Sequence, residues 1–244
     1  MAAPNPELSI AVPIYNEEAN VRPLIEELAG VLRGLGRGWE ILAVDDASRD
    51  GSAAALAALR PEFPELRVLR HRRNAGQSAA FAAAFHAARG AVVVTMDGDR
   101  QHDPRDIPRL LEALAPGVAC VTGIRANRRD DAVKRLSSKL ANGFRNAVTG
   151  APVTDAGCTL RALRRECLRE LPAFNGLHRW LPTILQYQGW KVVELPINHR
   201  PRPAGVSKYG VGNRLWRGLR DCFAMRWYRT RALPGDRLLP EEGA

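Results

Sequence analysis

The sequence predicts an α/β fold in which a mostly parallel central sheet is flanked by helices, and three observations support this prediction. Short apolar runs alternate with segments of helical periodicity, as in β-α-β units. The runs are rich in Val and Ile on both faces, which is typical of buried parallel strands. The chain has 244 residues, 45% of them hydrophobic, which suffices for one such domain with a sizeable core.

The first half of the chain contains four predicted strands, each followed by a polar loop. The strands are residues 8–12, 40–44, 67–69 and 91–94. The loops that follow them are residues 13–17, 45–48, 74–77 and 97–101. Three helical patterns occur in this half. They lie at residues 21–35, after residue 51 to about residue 60, and at 78–89. Because parallel sheets bind ligands beyond the carboxyl ends of their strands, the four loops predict one site.

The second half continues the fold with a more basic composition. Helical patterns are predicted at 104–114, 180–187 and 211–230, and strands at 118–122, 158–163 and 191–195. Seven basic residues crowd the segment 125–145, which is either a solvated helix face or a binding surface. No linker demands a domain boundary, so we divide the chain only into a domain at 1–210 and a basic amphipathic helix with its tail at 211–244.

The charge of the chain indicates an anionic partner. With 36 Lys and Arg against 26 Asp and Glu, the net charge is +10. Nucleic acid, nucleotide, phospholipid and phosphorylated lipid all fit that charge. The four cysteines have neither metal-ligand spacing nor a disulfide pattern, so we expect free thiols in a reducing cytosol. We expect no signal peptide, because residues 1–6 lack a basic start and an apolar block. We also expect no spanning segment, because no run of 18 apolar residues occurs.

Asp97 and Asp99 come directly after a buried strand and are separated by Gly98. Two carboxylates at this spacing can turn toward one point. Mg²⁺ and Mn²⁺ prefer oxygen ligands and commonly join carboxylates to substrate phosphates. The pair alone is also consistent with a solvated polar loop, but the three other polar loops at the same edge favour a metal–diphosphate site.

Several motifs of this chain resemble family 2 glycosyltransferases. They are residues 12–17 (VPIYNE), 44–51 (VDDASRDG), 73–76 (RNAG) and 97–99 (DGD). Three later motifs are similar to the branch that contains dolichol-phosphate mannosyltransferase and bacterial undecaprenyl-phosphate sugar transferases: residues 123–125 (GIR), 135–138 (RLSS) and 202–209 (RPAGVSKY). The resemblance covers roughly residues 8–210. It implies a GT-A fold with a Rossmann-like sheet and inversion at the anomeric carbon.

The resemblance also implies the ligands and the residues that contact them. It implies a nucleotide-diphospho-sugar donor, an Mg²⁺ or Mn²⁺ cofactor and a polyprenyl-phosphate acceptor. Asp97 and Asp99 would hold the metal, with Gln101 as a third contact. The nucleotide pocket would be lined by Pro13, Tyr15, Glu17, Asp45, Asp46 and Asp97, with Gly76 either admitting a phosphate or serving as a turn residue.

The acceptor decides whether a general base is required. A sugar hydroxyl must lose its proton to a nearby base, whereas a monoalkyl phosphate has a second pKa of about 6 and needs cations instead. Candidates to bind that phosphate are Arg125, Arg135, Ser138 and Arg202, and Lys208 would neutralise the departing diphosphate. Asp155 stands where relatives that glycosylate hydroxyls carry their base; here it is a base, a positioning residue or a helix cap.

We therefore predict a metal-dependent hexosyltransferase, similar to dolichyl-phosphate mannosyltransferase, that serves cell-envelope biosynthesis. One alternative is a transferase that glycosylates a saccharide or protein hydroxyl with Asp155 as base. Others are a non-catalytic nucleotide-sugar sensor and a nucleic-acid-binding protein. We expect no nucleic-acid partner, because carboxylates along a binding edge repel phosphates unless a metal intervenes. The sugar and the nucleotide base are not fixed by these motifs.

The C-terminal helix predicts a contact with an anionic membrane surface. Residues 199–231 contain nine Lys or Arg and one acidic residue, with aromatic residues among them. A basic amphipathic helix with aromatics can lie in an anionic interface. We expect a cytoplasmic protein peripheral to the inner face of the cell membrane, with a separate membrane protein as a further candidate partner. The alternative is a helix that packs on the domain.

Overall fold

The computed structural model describes residues 6–125, 142–201 and 214–235. These residues form seven strands: β1 (Leu8–Ile14), β2 (Trp39–Asp45), β3 (Leu66–Arg70), β4 (Val92–Thr95), β5 (Val118–Arg125), β6 (Arg161–Arg164) and β7 (Lys191–Ile197). The helices are α1 (Glu18–Arg33), α2 (Ser52–Leu59), α3 (Gln77–Ala87), α4 (Ile107–Ala113), α5 (142–149), α6 (Leu177–Tyr187) and α7 (Arg214–Arg229). Short 3₁₀ turns lie at Pro104–Asp106 and Arg165–Leu168.

All seven strands join in one sheet with the order β3-β2-β1-β4-β6-β5-β7. The strands β3, β2, β1 and β4 are parallel, and β5 is parallel to β7. Strand β6 runs antiparallel to both of its neighbours, with Arg161 opposite Thr95 and Thr122. The start of β6 therefore lies at the same sheet edge as the end of β4. The predicted mostly parallel sheet is confirmed.

Two apolar clusters cover the two faces of the sheet. On one face, Leu24 and Leu28 of α1 pack with Ile10 of β1. On the other, Phe81 of α3 and Trp180 of α6 pack against the sheet. Burying one such side chain contributes about 1.5–3 kcal/mol, so a sheet covered on both faces accounts for the continuous apolar runs in its strands.

Helix α7 packs on the second face of the sheet through one side only. Cys222 and Met225 are buried in the apolar cluster of that face. Phe223 and Trp227, on another side of the helix, are 60% and 61% exposed. Among the residues described, no helix combines the length and the apolarity required to cross a bilayer. The division of the chain at residue 210 stays a prediction.

Candidate functional site

The site lies at the sheet edge where β1, β2 and β4 end and where β6 begins. Three non-glycine residues adopt left-handed backbone conformations there: Asn16 (φ 52°), Ala47 (φ 57°) and Arg100 (φ 61°). Each belongs to a different loop. Such conformations cost roughly 1–2 kcal/mol each, and they cluster where surrounding bonds enforce a functional geometry.

The loops after β1 and β2 hold each other in place. The backbone N–H of Asn16 donates to the Ser48 hydroxyl at 3.0 Å, and the Asn16 side-chain oxygen accepts from the Arg49 backbone N–H at 2.7 Å. The Glu17 backbone N–H donates to the Ser52 hydroxyl at 2.9 Å. These bonds fix the half-exposed side chain of Tyr15 and the backbone next to Glu17 at the site.

Asp46 anchors the loop that follows β3. Its carboxylate accepts from the backbone N–H groups of Ala75 and Gly76, both at 2.8 Å, and lies 2.7 Å from Nδ1 of His71. Gly76 has a φ of 86°, a conformation that favours glycine. Asp46 is nearly inaccessible to solvent, so its described role is to position the 71–76 loop.

Asp45 is fully buried at the end of β2. One carboxylate oxygen accepts from the Ser48 backbone N–H at 2.9 Å, and the other forms an ion pair with Arg70 at 3.1 Å. The carboxylate thus closes the turn after β2 and carries negative charge into the wall of the site. A contact between either carboxylate of this pair and a nucleotide stays a prediction.

The loop after β4, residues 97–101, carries the predicted metal ligands and is called the metal loop below. One oxygen of Asp97 accepts from the Gln77 side-chain amide at 2.6 Å, and the side chain is 27% exposed. Asp99 is 8% exposed and accepts from the backbone N–H of Gln101 at 3.1 Å. The Gln77 amide and the Gln101 backbone N–H thus help to orient the two carboxylates.

Gly98 lets this loop approach the end of β1. A Cβ atom at this position would lie 2.8 Å from the Pro13 carbonyl oxygen and 2.8 Å from the Ile14 side chain. Such contacts are too short for any other residue. Pro13 is thereby placed beside the carboxylates of the metal loop.

The donor set of Asp97, Asp99 and Gln101 fits a hard divalent cation. Carboxylate and amide oxygens are the ligands that Mg²⁺ accepts, and Mg²⁺ commonly takes only one or two carboxylates from the protein and completes its coordination with phosphates and water. The residues described contain no group of three or more His, Cys, Asp and Glu side chains arranged to hold a metal. The set therefore suits a metal that binds together with a phosphate-bearing ligand.

A strap at residues 198–200 fastens the metal loop from the other side. His199 forms a β-bridge with His102, and the Arg200 backbone N–H donates to the Gln101 carbonyl at 2.8 Å. The Arg200 guanidinium forms ion pairs with Asp103 at 2.6 Å and with Glu27 at 2.7 Å. The geometry of the metal loop thus depends on residues about 100 positions further along the chain.

His102 is buried behind the metal loop. Its Nδ1 lies 3.9 Å from an Asp97 oxygen, and its Nε2 lies 3.8 Å from the Cys158 sulfur. Burial lowers the pKa of His102 below its usual 6.5, although the nearby charges of Asp97 and Asp99 oppose the shift. Burial also raises the pKa of the Cys158 thiol to about 12. Both groups are neutral at physiological pH.

Arg125 and Asp155 form a bidentate ion pair. The Nε and one terminal nitrogen of Arg125 each donate to one oxygen of Asp155 at 2.7 Å. Burial works to lower the pKa of Arg125, but the bond to Asp155 outweighs burial and leaves the pKa raised. Among the three roles predicted for Asp155, this geometry favours positioning, because both carboxylate oxygens are engaged and the surrounding backbone is a turn.

The structure places three residues near the site that the sequence analysis did not single out: Ser78, His178 and Arg161. Ser78 lies 2.7 Å from Nδ1 of His178 and accepts from the Gly176 backbone N–H at 2.9 Å, which joins the starts of α3 and α6. Burial lowers the pKa of His178 to about 3. Arg161 is buried between β5 and the start of α6. Partners 98 residues apart leave no local signal in a sequence.

Four of the predicted phosphate-binding residues lie outside the described part of the chain. They are Arg135, Ser138, Arg202 and Lys208. Their proposed contacts with an acceptor phosphate or a departing diphosphate stay predictions.

Comparison with known sequences identifies similar proteins along most of the chain. The family described as Glycosyl transferase family 2 matches residues 9–172. A dodecaprenyl-phosphate galacturonate synthase of Rhizobium johnstonii is 34% identical over 235 residues, covering 94% of this chain and 69% of the relative. An undecaprenyl-phosphate 4-deoxy-4-formamido-L-arabinose transferase of Pectobacterium carotovorum is 39% identical over 204 residues. Those residues are 83% of this chain and 62% of that relative, so the chain spans less than two thirds of that protein.

Solved structures show the same fold. A glucosyl-3-phosphoglycerate synthase of Mycobacterium tuberculosis, in complex with Mn²⁺, uridine diphosphate and glucosyl-3-phosphoglycerate, superposes with a TM-score of 0.68 at 19% identity. The match covers 98% of this chain and 82% of that structure. Another structure of that enzyme contains Mg²⁺ and uridine diphosphate. At this identity the likeness concerns the fold alone, and it confirms the predicted GT-A architecture.

Proposed function

Because the chain belongs to glycosyl transferase family 2, as its motifs predicted, we propose that it transfers a sugar from a nucleotide-diphospho-sugar to a polyprenyl phosphate with inversion at the anomeric carbon. The observation that carries this proposal is the bidentate pair of Arg125 with Asp155. Two relatives named for dodecaprenyl-phosphate and undecaprenyl-phosphate chemistry support the same acceptor class.

The ion pair helps to identify the acceptor, because a hydroxyl acceptor needs a base and a phosphate acceptor needs a cation. A hydroxyl nucleophile requires a carboxylate able to take its proton, and both oxygens of Asp155 already accept from Arg125. A polyprenyl phosphate is largely ionised at neutral pH, with a second pKa of about 6. It needs a positioned cation. A guanidinium carries five N–H donors, so the pair with Asp155 orients Arg125 and leaves an edge that we assign to the acceptor phosphate.

The donor site follows from the metal loop. Asp97, Asp99 and Gln101 would hold Mg²⁺ or Mn²⁺, which when bound supplies Lewis-acid stabilisation of charge on the departing diphosphate. Pro13 and Tyr15 line the nucleotide side. The tight turn at Gly76 presents its backbone at the same edge, where backbone N–H groups commonly approach phosphates.

We also propose that the protein acts at the inner face of the cell membrane, where its acceptor would reside. The exposed Phe223 and Trp227 of α7 form an apolar strip. Arg231 stacks over the Trp227 ring at 5.6 Å, and Arg220 and Arg226 flank the strip. An aromatic strip edged by cations suits an anionic lipid interface. A separate membrane protein that presents the acceptor is compatible with the same surface.

The acceptor is tested with the variant Asp155→Asn. We expect transfer to undecaprenyl phosphate to fall at least tenfold because Arg125 loses its orientation, while the pH profile of kcat keeps its shape. The control is Glu62→Gln, which alters an exposed bidentate pair with Arg22, and we expect it to retain full activity. Preferred transfer to a saccharide hydroxyl, with loss of the acidic limb of the pH profile in Asp155→Asn, would show that Asp155 is a base.

A further inference from the structure

Arg161 carries a positive charge into the interior of the protein. It is 1% exposed. Its Nε donates to the Thr122 hydroxyl at 3.1 Å, and its terminal nitrogens donate to the carbonyls of His178 at 2.7 Å and Ala156 at 3.3 Å. These partners are all neutral. In the described part of the chain Arg161 forms no ion pair, unlike Arg125 with Asp155.

A buried guanidinium with neutral partners requires an explanation. Removing an unpaired charge from water costs several kcal/mol even after relaxation. Arg164, three residues along the same strand, also donates to main-chain carbonyls, those of Val118, Leu114 and Ala115. Arg164 lies at the opposite end of β6 and is partly exposed. The two arginines thus join segments in the same way, but only Arg161 keeps its charge away from water.

The position of Arg161 shows which groups its charge acts on. It pairs with Thr95, two residues before Asp97, and it bonds to Ala156, which follows Asp155. The negative charges of Asp97 and Asp155 both act on its guanidinium. A charge in the low-dielectric interior acts more strongly and over a longer range than one in water. Arg161 therefore contributes positive potential to the edge that carries the metal loop.

We propose that Arg161 is a positioning residue that provides fixed positive charge beneath the donor diphosphate and holds the turn after Asp155 against the start of α6. This inference rests on the proposed function. The side chain is too buried to touch the ligand, so its effect is electrostatic and is present before the ligand binds. Such a preorganised charge stabilises an anion without reorganisation at the moment of binding.

The test measures the affinity of inorganic pyrophosphate by calorimetry, with and without Mn²⁺. We expect Arg161→Gln to weaken pyrophosphate binding about tenfold in both conditions, and Arg161→Lys to keep the affinity within about threefold of the wild type. The matched control Arg164→Gln should leave the affinity unchanged. Methyl phosphate, which carries less charge, should be weakened less by Arg161→Gln than pyrophosphate is.

A merely structural role of Arg161 leads to different results. It would weaken pyrophosphate and methyl phosphate equally, and Arg161→Lys would then fail like Arg161→Gln; either outcome overturns the proposal. Unchanged pyrophosphate affinity in a folded Arg161→Gln protein, or no pyrophosphate binding by the wild type, also overturns it. Should Arg161→Gln not fold, the pyrophosphate affinities of Arg161→Lys and the wild type are compared at low salt and at 0.5 M salt. A buried charge is screened little, so a ratio of the two affinities that stays constant and within about threefold supports the proposal, and a larger loss in Arg161→Lys overturns it. Failure of the proposed acceptor, measured by transfer, would leave these binding constants intact.

Discussion

Gly98 shows how a single absent side chain shapes the candidate metal site. The contact between the metal loop and the end of β1 leaves no room for a Cβ atom, because that atom would lie 2.8 Å from the Pro13 carbonyl oxygen. Packing therefore restricts the central position of the motif at residues 97–99 to glycine. The ligand that they would hold explains the aspartates on either side.

We expect Gly98→Ala to weaken metal-dependent donor binding at least tenfold, because the loop that carries Asp97 and Asp99 must shift. The free energy of unfolding should fall by about 1–3 kcal/mol through overpacking. Titration of Mn²⁺ and nucleotide sugars, together with urea unfolding, measures both quantities. The control is Gly30→Ala, at an exposed position of α1 where an added Cβ would meet open space. This variant should raise the free energy of unfolding by about 0.5–1 kcal/mol. Equal donor affinity in both variants would refute the packing argument.

The position and the role of some site residues can be predicted from the sequence, and those of others cannot. Asp97 and Asp99 follow a strong strand signal, so the local pattern predicts their position and a metal site, whereas only the family resemblance implies a role for Gln101. Asp46 has the same signal, yet its carboxylate is engaged by Ala75, Gly76 and His71. Which residues a carboxylate meets depends on tertiary contacts, and those are not encoded in local periodicity.

At the scale of elements, the strands match their predictions better than the helix starts do. Helix α6 begins at Leu177, three residues before the prediction, because Gly176 (φ 109°) provides the turn and His178 and Arg179 fill the first turn without an apolar signal. The reversed direction of β6 also escaped prediction. A strand of four residues, Arg161–Arg164, carries no information on its own direction, which is set by the connections around it.

The junction of α3 and α6 predicts a pH dependence of stability. Burial lowers the pKa of His178 from 6.5 to about 3. Below about pH 6.5 the unfolded chain binds this proton and the folded chain does not until about pH 3, so acidification through this window favours unfolding. We expect His178→Gln to reduce the fall in unfolding free energy between pH 7 and pH 4. Urea denaturation at four pH values measures it.

The exposed His86 of α3 serves as the control for this prediction. His86→Gln lies on the same helix pair but away from the junction, and it should leave the pH dependence as in the wild type. An identical dependence in His178→Gln and wild type would show that His178 does not remain neutral in the folded protein.

At the scale of the whole molecule, α7 presents one apolar side to the core and another to the surroundings. We expect the protein to float with vesicles containing anionic lipid and to be released as the salt concentration rises, because the attraction to arginines is screened. The double variant Phe223→Ser and Trp227→Ser should lose this binding without a change in Tm, since both side chains are exposed. Arg22→Gln, on the distant α1, is the control.

Flotation that persists unchanged in the double variant would assign membrane binding to another surface. Absence of binding to anionic vesicles at low salt would instead favour a partner protein on the strip of Phe223 and Trp227. Either result leaves the donor site untouched, because no residue of α7 belongs to the metal loop.

The ion pair between Glu27 and Arg200 has a consequence for biosynthesis. It joins residues 173 positions apart, so the metal loop acquires this fastening only after Arg200 has left the ribosome. Loop closure over such a span is slow compared with local pairing. A nascent chain that ends before the strap would carry Asp97 and Asp99 in an unfastened loop. Donor binding should therefore emerge only once the strap has been synthesised, and a shorter nascent chain would not withdraw nucleotide sugar from the cell.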